Sequence, residues 1–487
     1  MTKTPPLAVA ILPIAMLIAL LTLNVFIFKD DAISGSNQII LVVAAALGAA
    51  LAFFYGCSWI TLEEGIVHSI KLATPAILIL LMVGALSGTW LVSGIIPTLI
   101  YYGLHVLNPV IFLFAACIIC IVVSIFTGSS WTTSATIGIA LMGIGQVLGI
   151  NPAFVAGAIL SGAYFGDKLS PLSDTTNLAS ASAGTDLFTH IRYMTYTTIP
   201  SITLALLLYL VLGFGHSSAL DAASIEEILA ALDNSFNITP WLLLVPLCVL
   251  VMIVKKIPPL PALFTGTVLG AIFAFIFQLP IVDQIGAEVG DAEWSKYVGI
   301  MQTAFGDTQL QTGNETLDEL LSSGGMAGML NTIWLIISAM IFGGVMEASG
   351  FLRQITEALI SHVKSVGGLV SATVATCIFT NTSASDQYLA VLLPGRMYAE
   401  SYRKRGLAPQ NLSRTLEDSG TVTSVLVPWN TCGAFHAGVL GVATITYAPF
   451  AFFCIISPIM TIIFAYLNIK IAPLESEPEA VSPAPAN

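Results

Sequence analysis

Long apolar runs separated by short polar joints fill most of the 487-residue chain. At least nine of them approach or exceed the roughly 20 residues that cross a bilayer core. Their spacing predicts spans near 7 to 28, 36 to 56, 72 to 93, 189 to 214, 241 to 254, 259 to 279 and 327 to 347. Four further stretches, near 108 to 149, 152 to 180, 366 to 397 and 418 to 446, are apolar but interrupted by polar residues. The sharpest interruption is Gly166-Asp-Lys-Leu-Ser-Pro-Leu-Ser-Asp-Thr-Thr-Asn177. An unwound helix at membrane depth leaves backbone groups unpaired, so it survives only when buried in protein or lining a polar cavity. In carriers such a break usually builds the ion or substrate site.

Composition narrows the class to an all-α polytopic membrane protein. The chain is 56% hydrophobic and 9% charged, with mean hydropathy +0.90, where a soluble domain carries roughly 25% charged residues. The net charge of -12 arises mostly in loops and tail, which excludes nucleic acid as a partner and leaves the lipid bilayer. The seven cysteines lie in apolar segments and read as small buried hydrophobes, Cys117-x-x-Cys120 included. Leu7 to Phe28 is too long for a signal-peptide core and reads as the first span.

Loop charge sets the orientation. Arg396, Arg403, Lys404, Arg405 and Arg414 surround one polar loop and Lys255 with Lys256 mark another, so both should face the cytoplasm. The stretches 215 to 240 and 280 to 325 then face outward. Ser224-x-x-Glu227 and Thr316-x-x-Glu319 read there as capping boxes that open short interfacial helices. Both termini fall on the cytoplasmic side only if 108 to 149, turning at Phe126-Thr-Gly-Ser-Ser130, and 366 to 397 are hairpins that enter and leave on one face.

The halves also resemble each other. Ser93-Gly94 matches Ser349-Gly350, Ile125-Phe-Thr127 matches Ile378-Phe-Thr380, and Pro171 matches Pro428, at offsets of 256, 253 and 257. Five crossings and one hairpin per half place the second half upside down, the inverted-repeat plan of secondary carriers. The expected units are a first repeat over 1 to 214, with a hairpin at about 108 to 149 and a broken helix at about 152 to 180; an outer loop over 215 to 240; a second repeat over 241 to 472, with a hairpin at about 366 to 397 and a broken helix at about 418 to 446; and a disordered acidic tail over 473 to 487.

Polar residues fall at equivalent points of this plan. One tip offers Thr127, Ser129 and Ser130, and the other Asn381, Thr382, Ser383 and Asp386. The breaks offer Asp167, Asp174, Thr175 and Asn177, and Asn430 and Thr431. Hydroxyl, amide and freed carbonyl oxygens are the hard ligands that a small alkali cation prefers, and helix ends add partial charge. A charged Asp at the bilayer centre costs roughly 2.5–3.5 kcal/mol, so it ionises only when a cation compensates it. One carboxylate can therefore hold either a proton or a sodium ion. Asp174, Asp386 and Asp167 are the proton-coupling candidates.

Plainer readings stand beside these. Asp167 next to Lys168 reads equally as a structural ion pair. Glu417 and Asp418, close to the basic loop, read as a solvated cap on the next helix, and Glu347 as an interfacial side chain. His436 reads as a packing residue or a pH sensor. Membrane hydroxyls often bond back to their own helix, but the paired placement of Ser129, Ser130, Thr382 and Ser383 favours function.

Gly166 to Asn177, with the preceding Ser161-Gly-Ala-Tyr-Phe165, closely resembles the signature of NhaC-type sodium/proton antiporters. Thr380-Asn-Thr-Ser-Ala-Ser-Asp386 and Val427-Pro-Trp-Asn-Thr431 resemble that family too, so the likeness covers nearly the whole chain. It implies membership of the ion transporter superfamily, with inverted repeats, two re-entrant hairpins, a homodimeric scaffold and a moving transport domain. It also implies a bacterial cytoplasmic (inner) membrane, sodium, lithium and protons as transported ions, and no cofactor. Asp174 and Asp386 become ion-handling residues by the same likeness.

The same family includes exchangers that couple sodium and protons to malate and lactate, which carry the same signature. An organic anion wants a cation or helix N-termini in the cavity, and Lys168 serves only if free of Asp167. A channel would use the same breaks, but the inverted repeat argues against one. A membrane enzyme would need a catalytic set, and the sequence shows no P-loop, His-x-x-x-His or nucleophile elbow.

Overall fold

A backbone in hydrocarbon must satisfy its own N–H and C=O groups, and the apolar runs do so as helices. The computed structural model describes residues 5–28, 35–106, 108–215, 222–290, 292–312, 317–318, 321–361 and 365–474. The first half holds α1 (Leu7–Phe28), α2 (Ser36–Phe54), α3 (Trp59–Val92), α4 (Ile95–Val106), α5 (Phe112–Thr127), α6 (Ser130–Thr133), α7 (Ile139–Val147), α8 (Pro152–Leu169), α9 (Asp174–Ala183) and α10 (Leu187–Gly215). Then come α11 (Ala222–Ser235), α12 (Leu244–Val254), α13 (Pro259–Phe277), α14 (Leu279–Val289), α15 (Ser295–Phe305), α16 (Gly325–Gly328), α17 (Leu330–Ala348) and α18 (Phe351–Ser361). The last group is α19 (Val366–Ser383), α20 (Gln387–Lys404), α21 (Pro409–Leu416), α22 (Thr431–Leu440), α23 (Thr444–Tyr447) and α24 (Phe452–Tyr466). Among the described residues seven helices are long and apolar enough to cross a membrane, or up to nine if each of two bent pairs is one span.

Several expectations need correction. The third span begins at Trp59, capped by Ser58, rather than near 72, because Glu63, Glu64 and Lys71 fall on the exposed side of one continuous helix. The stretch 280 to 325 contains α14, α15 and a two-stranded antiparallel pair, Thr308–Gln309 with Ser322–Ser323, so the chain is mostly rather than wholly helical. Ser224 lies inside the first turn of α11 instead of preceding it. Thr316 and Glu319 lie outside the described residues, as does the tail beyond Leu474.

The helices pack in two groups. α1, α2, α3, α12, α13, α14, α15, α16 and α17 lie against one another, with α3 touching α13, α15, α16 and α17. α5 to α10 and α19 to α24 form the other, in which α5 packs along α8 and α10 along α24. The α5–α8 seam is close because Gly162 and Gly166 carry no side chain; a Cβ on Gly162 would lie 2.2 Å from the Cys117 carbonyl oxygen. Small residues four apart are the usual device for such approach in membranes.

Local geometry repeats along the chain. Gly128 (φ 66) and Ser385 (φ 60) both sit in the left-handed region, and the next residues, Ser129 and Asp386, both cap a helix. Ser173 and Asn430 cap α9 and α22, each of ten residues, and Gly184 and Gly441 end them with positive φ. Each pair is 257 residues apart, where the sequence put the hairpin tips 253 apart, because the second tip stays helical for most of a further turn.

Candidate functional site

α8 stops at Leu169 because Pro171 lacks an N–H and pushes Ser170 into extended backbone (ψ 129). The freed end is kept polar but satisfied. Thr176 donates to the Lys168 carbonyl at 3.0 Å, and the Asn177 amide donates to Pro171 and Ser173 carbonyls at 3.1 and 2.7 Å. Asn177 thus staples the break. Asp174 opens α9 with an exposed side chain, and Asp386 caps α20 by accepting the Leu389 N–H at 2.9 Å. Both carboxylates therefore stand where a helix N-terminus stabilises negative charge.

The first tip presses onto the first break. A Cβ on Gly128 would come within 2.6 Å of Leu172 Cβ. Ser130 donates to Asp167 Oδ2 from its N–H at 3.0 Å and its hydroxyl at 2.7 Å. Ser129 caps the next helix, and the Thr127 hydroxyl lies 3.3 Å from that of Thr133.

The second tip meets the second break. The Asn381 amide donates to the Gly420 carbonyl at 2.7 Å, the Asn430 amide donates to Asn381 O at 3.0 Å, and the Thr431 N–H donates to Ser385 O at 2.9 Å. Trp429 Nε1 donates to Thr382 O at 2.8 Å. The Thr382 and Ser383 hydroxyls bond back to Phe379 O at 2.8 and 2.6 Å.

A cavity of about 430 Å³ brings together Thr127, Ser129, Asp167, Asp174, Thr175, Asp386 and Thr431. Its other wall is apolar, from Leu72, Ala73, Ala76 and Ile79 of α3, with Ile253 and Lys256 near the end of α12. It therefore lies between the two helix groups. Ser130, Asn381 and Asn430 are buried behind this surface, and Asn177, Thr382 and Ser383 do not line it.

Charged residues in this core depart from the expected pattern. Lys168 does not pair with Asp167, because neighbours on a helix point apart. Its ammonium pairs with Asp418 and donates to Ser457 Oγ at 3.1 Å, and Thr197 donates to Asp418 Oδ2 at 2.7 Å. Glu417 and Asp418 are fully buried rather than a solvated cap, and Thr175 donates to Glu417 Oε1 at 3.0 Å. Arg414 is likewise buried, with its guanidinium 4.6 Å from the centre of the Tyr193 ring, so it is no loop charge. His436 packs among Tyr164, Trp131 and Phe435, and Glu347 is exposed. The signal that could have located Glu417 and Asp418 is the need of an intramembrane lysine for an acid, with only a few acids available to it.

Comparisons with known proteins give the family. The Na+/H+ antiporter family model matches residues 162–469. The Na+/H+ antiporter NhaC of Alkalihalophilus pseudofirmus is 38% identical over 98% of this chain and 99% of its own. The malate-2H+/Na+-lactate antiporter of Bacillus subtilis is 38% identical over 95% of each chain. The arginine/ornithine antiporter ArcD of Halobacterium salinarum is 35% identical over 99% of this chain and 97% of its own. With a family model over more than half of its length and relatives matched nearly end to end, the chain belongs to the Na+/H+ antiporter family.

Proposed function

We propose that this protein is a secondary transporter that exchanges sodium, and lithium, for protons by alternating access. One observation carries the reading: Asp167, Asp174 and Asp386 reach the same cavity, walled by tip and break hydroxyls and opposed by Lys256. Three acids against one base attract a cation, and each acid can hold a proton instead. The ligand set is Thr127, Ser129, Ser130, Asp174, Thr175, Asn177, Asn381, Thr382, Ser383, Asp386, Asn430 and Thr431, and the proton moves on Asp174, Asp386 or Asp167. Thr127, Ser129, Thr175 and Thr431 are best placed, since they line the cavity. Lys168, held by Asp418, is not free for an anion.

The two halves are read as inverted repeats with re-entrant hairpins at 108 to 149 and 366 to 397. Matched bonds support the repeat. Ser124 donates to the Ala163 carbonyl and Asn381 to the Gly420 carbonyl; Ser130 bonds Asp167 and Ser424 bonds Gln387. All four residue pairs are related by the same 257-residue step. The two helix groups then act as a scaffold and a moving unit, in a homodimer of the bacterial inner membrane with both termini cytoplasmic. No cofactor is required.

Lys256 on the cavity wall favours one second reading, in which a small organic acid such as malate or lactate enters with the cations. Uptake of 22Na+ into acid-loaded proteoliposomes distinguishes the two. Accumulation without organic acid supports the first; accumulation only with malate or lactate present selects the second.

A further inference from the structure

Glu417 lies one side chain deeper than the cavity. Its Oε1 accepts from Thr175, which lines that cavity, but its Oε2 is buried with no hydrogen-bond partner. The Thr421 hydroxyl, four residues on, is also buried; it is directed at the Glu417 carboxylate but makes no hydrogen bond of full geometry there or elsewhere. Leaving such groups unpaired is costly, most of all for a charge, so two together need an explanation. Both belong to one π turn, Glu417–Thr421, an element that concentrates at functional sites.

Neighbouring charges do not supply the missing partner. Lys168 of α8 is taken by Asp418, and Arg414 is turned to Tyr193 and to the Lys470 carbonyl at 3.1 Å. Asp167, also of α8, is another acid and is held by Ser130. A carboxylate and a hydroxyl oxygen with no basic side chain of their own, in a wall reached from the cavity through Thr175, are hard ligands of the kind an alkali cation takes.

We propose that Glu417 Oε2 and Thr421 Oγ1 form an inner cation subsite for sodium, behind the cavity site and linked to it by Thr175. The inference rests on the sodium/proton exchange reading. The subsite gives a cation leaving the cavity carboxylates a second set of oxygens within the moving helix group. It also accounts for the different directions of Glu417 and Asp418: Asp418 neutralises Lys168, and Glu417 turns to Thr175 and the cavity side.

The test is equilibrium binding of 22Na+ to the purified full chain at alkaline pH, with Thr421→Val and Glu417→Gln beside wild type. Valine matches threonine in shape and removes only an unpaired buried hydroxyl, so Thr421→Val should melt at or above the wild-type temperature. The subsite, enclosed and away from water, is the tighter of the two positions, so we expect Thr421→Val nevertheless to bind sodium at least tenfold more weakly, and Glu417→Gln likewise. Sodium affinity within twofold of wild type in Thr421→Val overturns the subsite, whether or not Glu417→Gln folds. Wild-type protein that binds no sodium overturns the exchange reading itself.

Discussion

Lys168→Met should destabilise the protein strongly, and a second change at Asp418 should reverse the effect. Lys168 and Asp418 are both fully buried and form an ion pair with Ser457 and Thr197 as additional partners. Removing one member of a buried pair costs about 3–5 kcal/mol, because the other charge is left uncompensated. Hydroxyl donation to Asp418 from Thr197 at 2.7 Å and Ser457 at 3.0 Å survives, which places the cost near the lower end, about 3 kcal/mol. Against a total stability of roughly 5–15 kcal/mol, and with an unfolding entropy that scales with chain length, the midpoint of thermal unfolding should fall by roughly 3 °C. Intrinsic fluorescence of the detergent-solubilised protein during heating reads this directly. Adding Asp418→Asn removes the stranded charge and keeps an acceptor for the two hydroxyls, so at least half of the loss should return. Asp167→Asn in the same background should return nothing. Rescue by Asp167→Asn, or a Lys168→Met protein as stable as wild type, would refute the pairing.

Four other outcomes follow from the site. Asp174→Asn should abolish sodium-dependent proton movement in proteoliposomes while leaving insertion and melting unchanged, since its side chain is exposed; retained activity removes Asp174 from the mechanism. Asp386→Asn keeps a good helix cap, so stability should change by less than about 0.5 kcal/mol, while apparent sodium affinity in a flux titration falls. Ser130→Ala removes one of two donors to Asp167, and about 1.5–3 kcal/mol of charge-assisted bonding, which a denaturation midpoint will show. Gly162→Ala places a Cβ at 2.2 Å from the Cys117 carbonyl oxygen, so α5 and α8 must separate, and the protein should elute as aggregate or melt early in size-exclusion and heating assays.

Much of the architecture was legible because hydrocarbon allows so few backbone solutions. The apolar runs gave α1, α2, α10 and α13 nearly to the residue, and proline beside polar residues located both breaks. The start of α3 was not legible, because Glu63, Glu64 and Lys71 look like a loop until the helical period is seen to put them on one exposed side. The cavity carboxylates could be found because they sit at breaks. Glu417 and Asp418 could not, because nearby basic residues imitate a water-facing cap, and only the fold shows that α21 carries them inward to Thr175 and Lys168. The partner of Lys168 lies 250 residues away, a contact that local patterning cannot encode. The tip offset failed for a related reason: Ile-Phe-Thr recurs in both helices, but the caps that define the tips, Ser129 and Asp386, stand about one turn further on in the second.

The central claim, sodium/proton exchange at this cavity, is tested most directly by proton flux in proteoliposomes that contain only this protein and a trapped pH dye, after a step in external sodium with no organic acid present. A pH change with sodium that is absent with potassium is the expected result. No response until malate or lactate is supplied would contradict it, and would assign the cavity and Lys256 to an organic-acid exchanger.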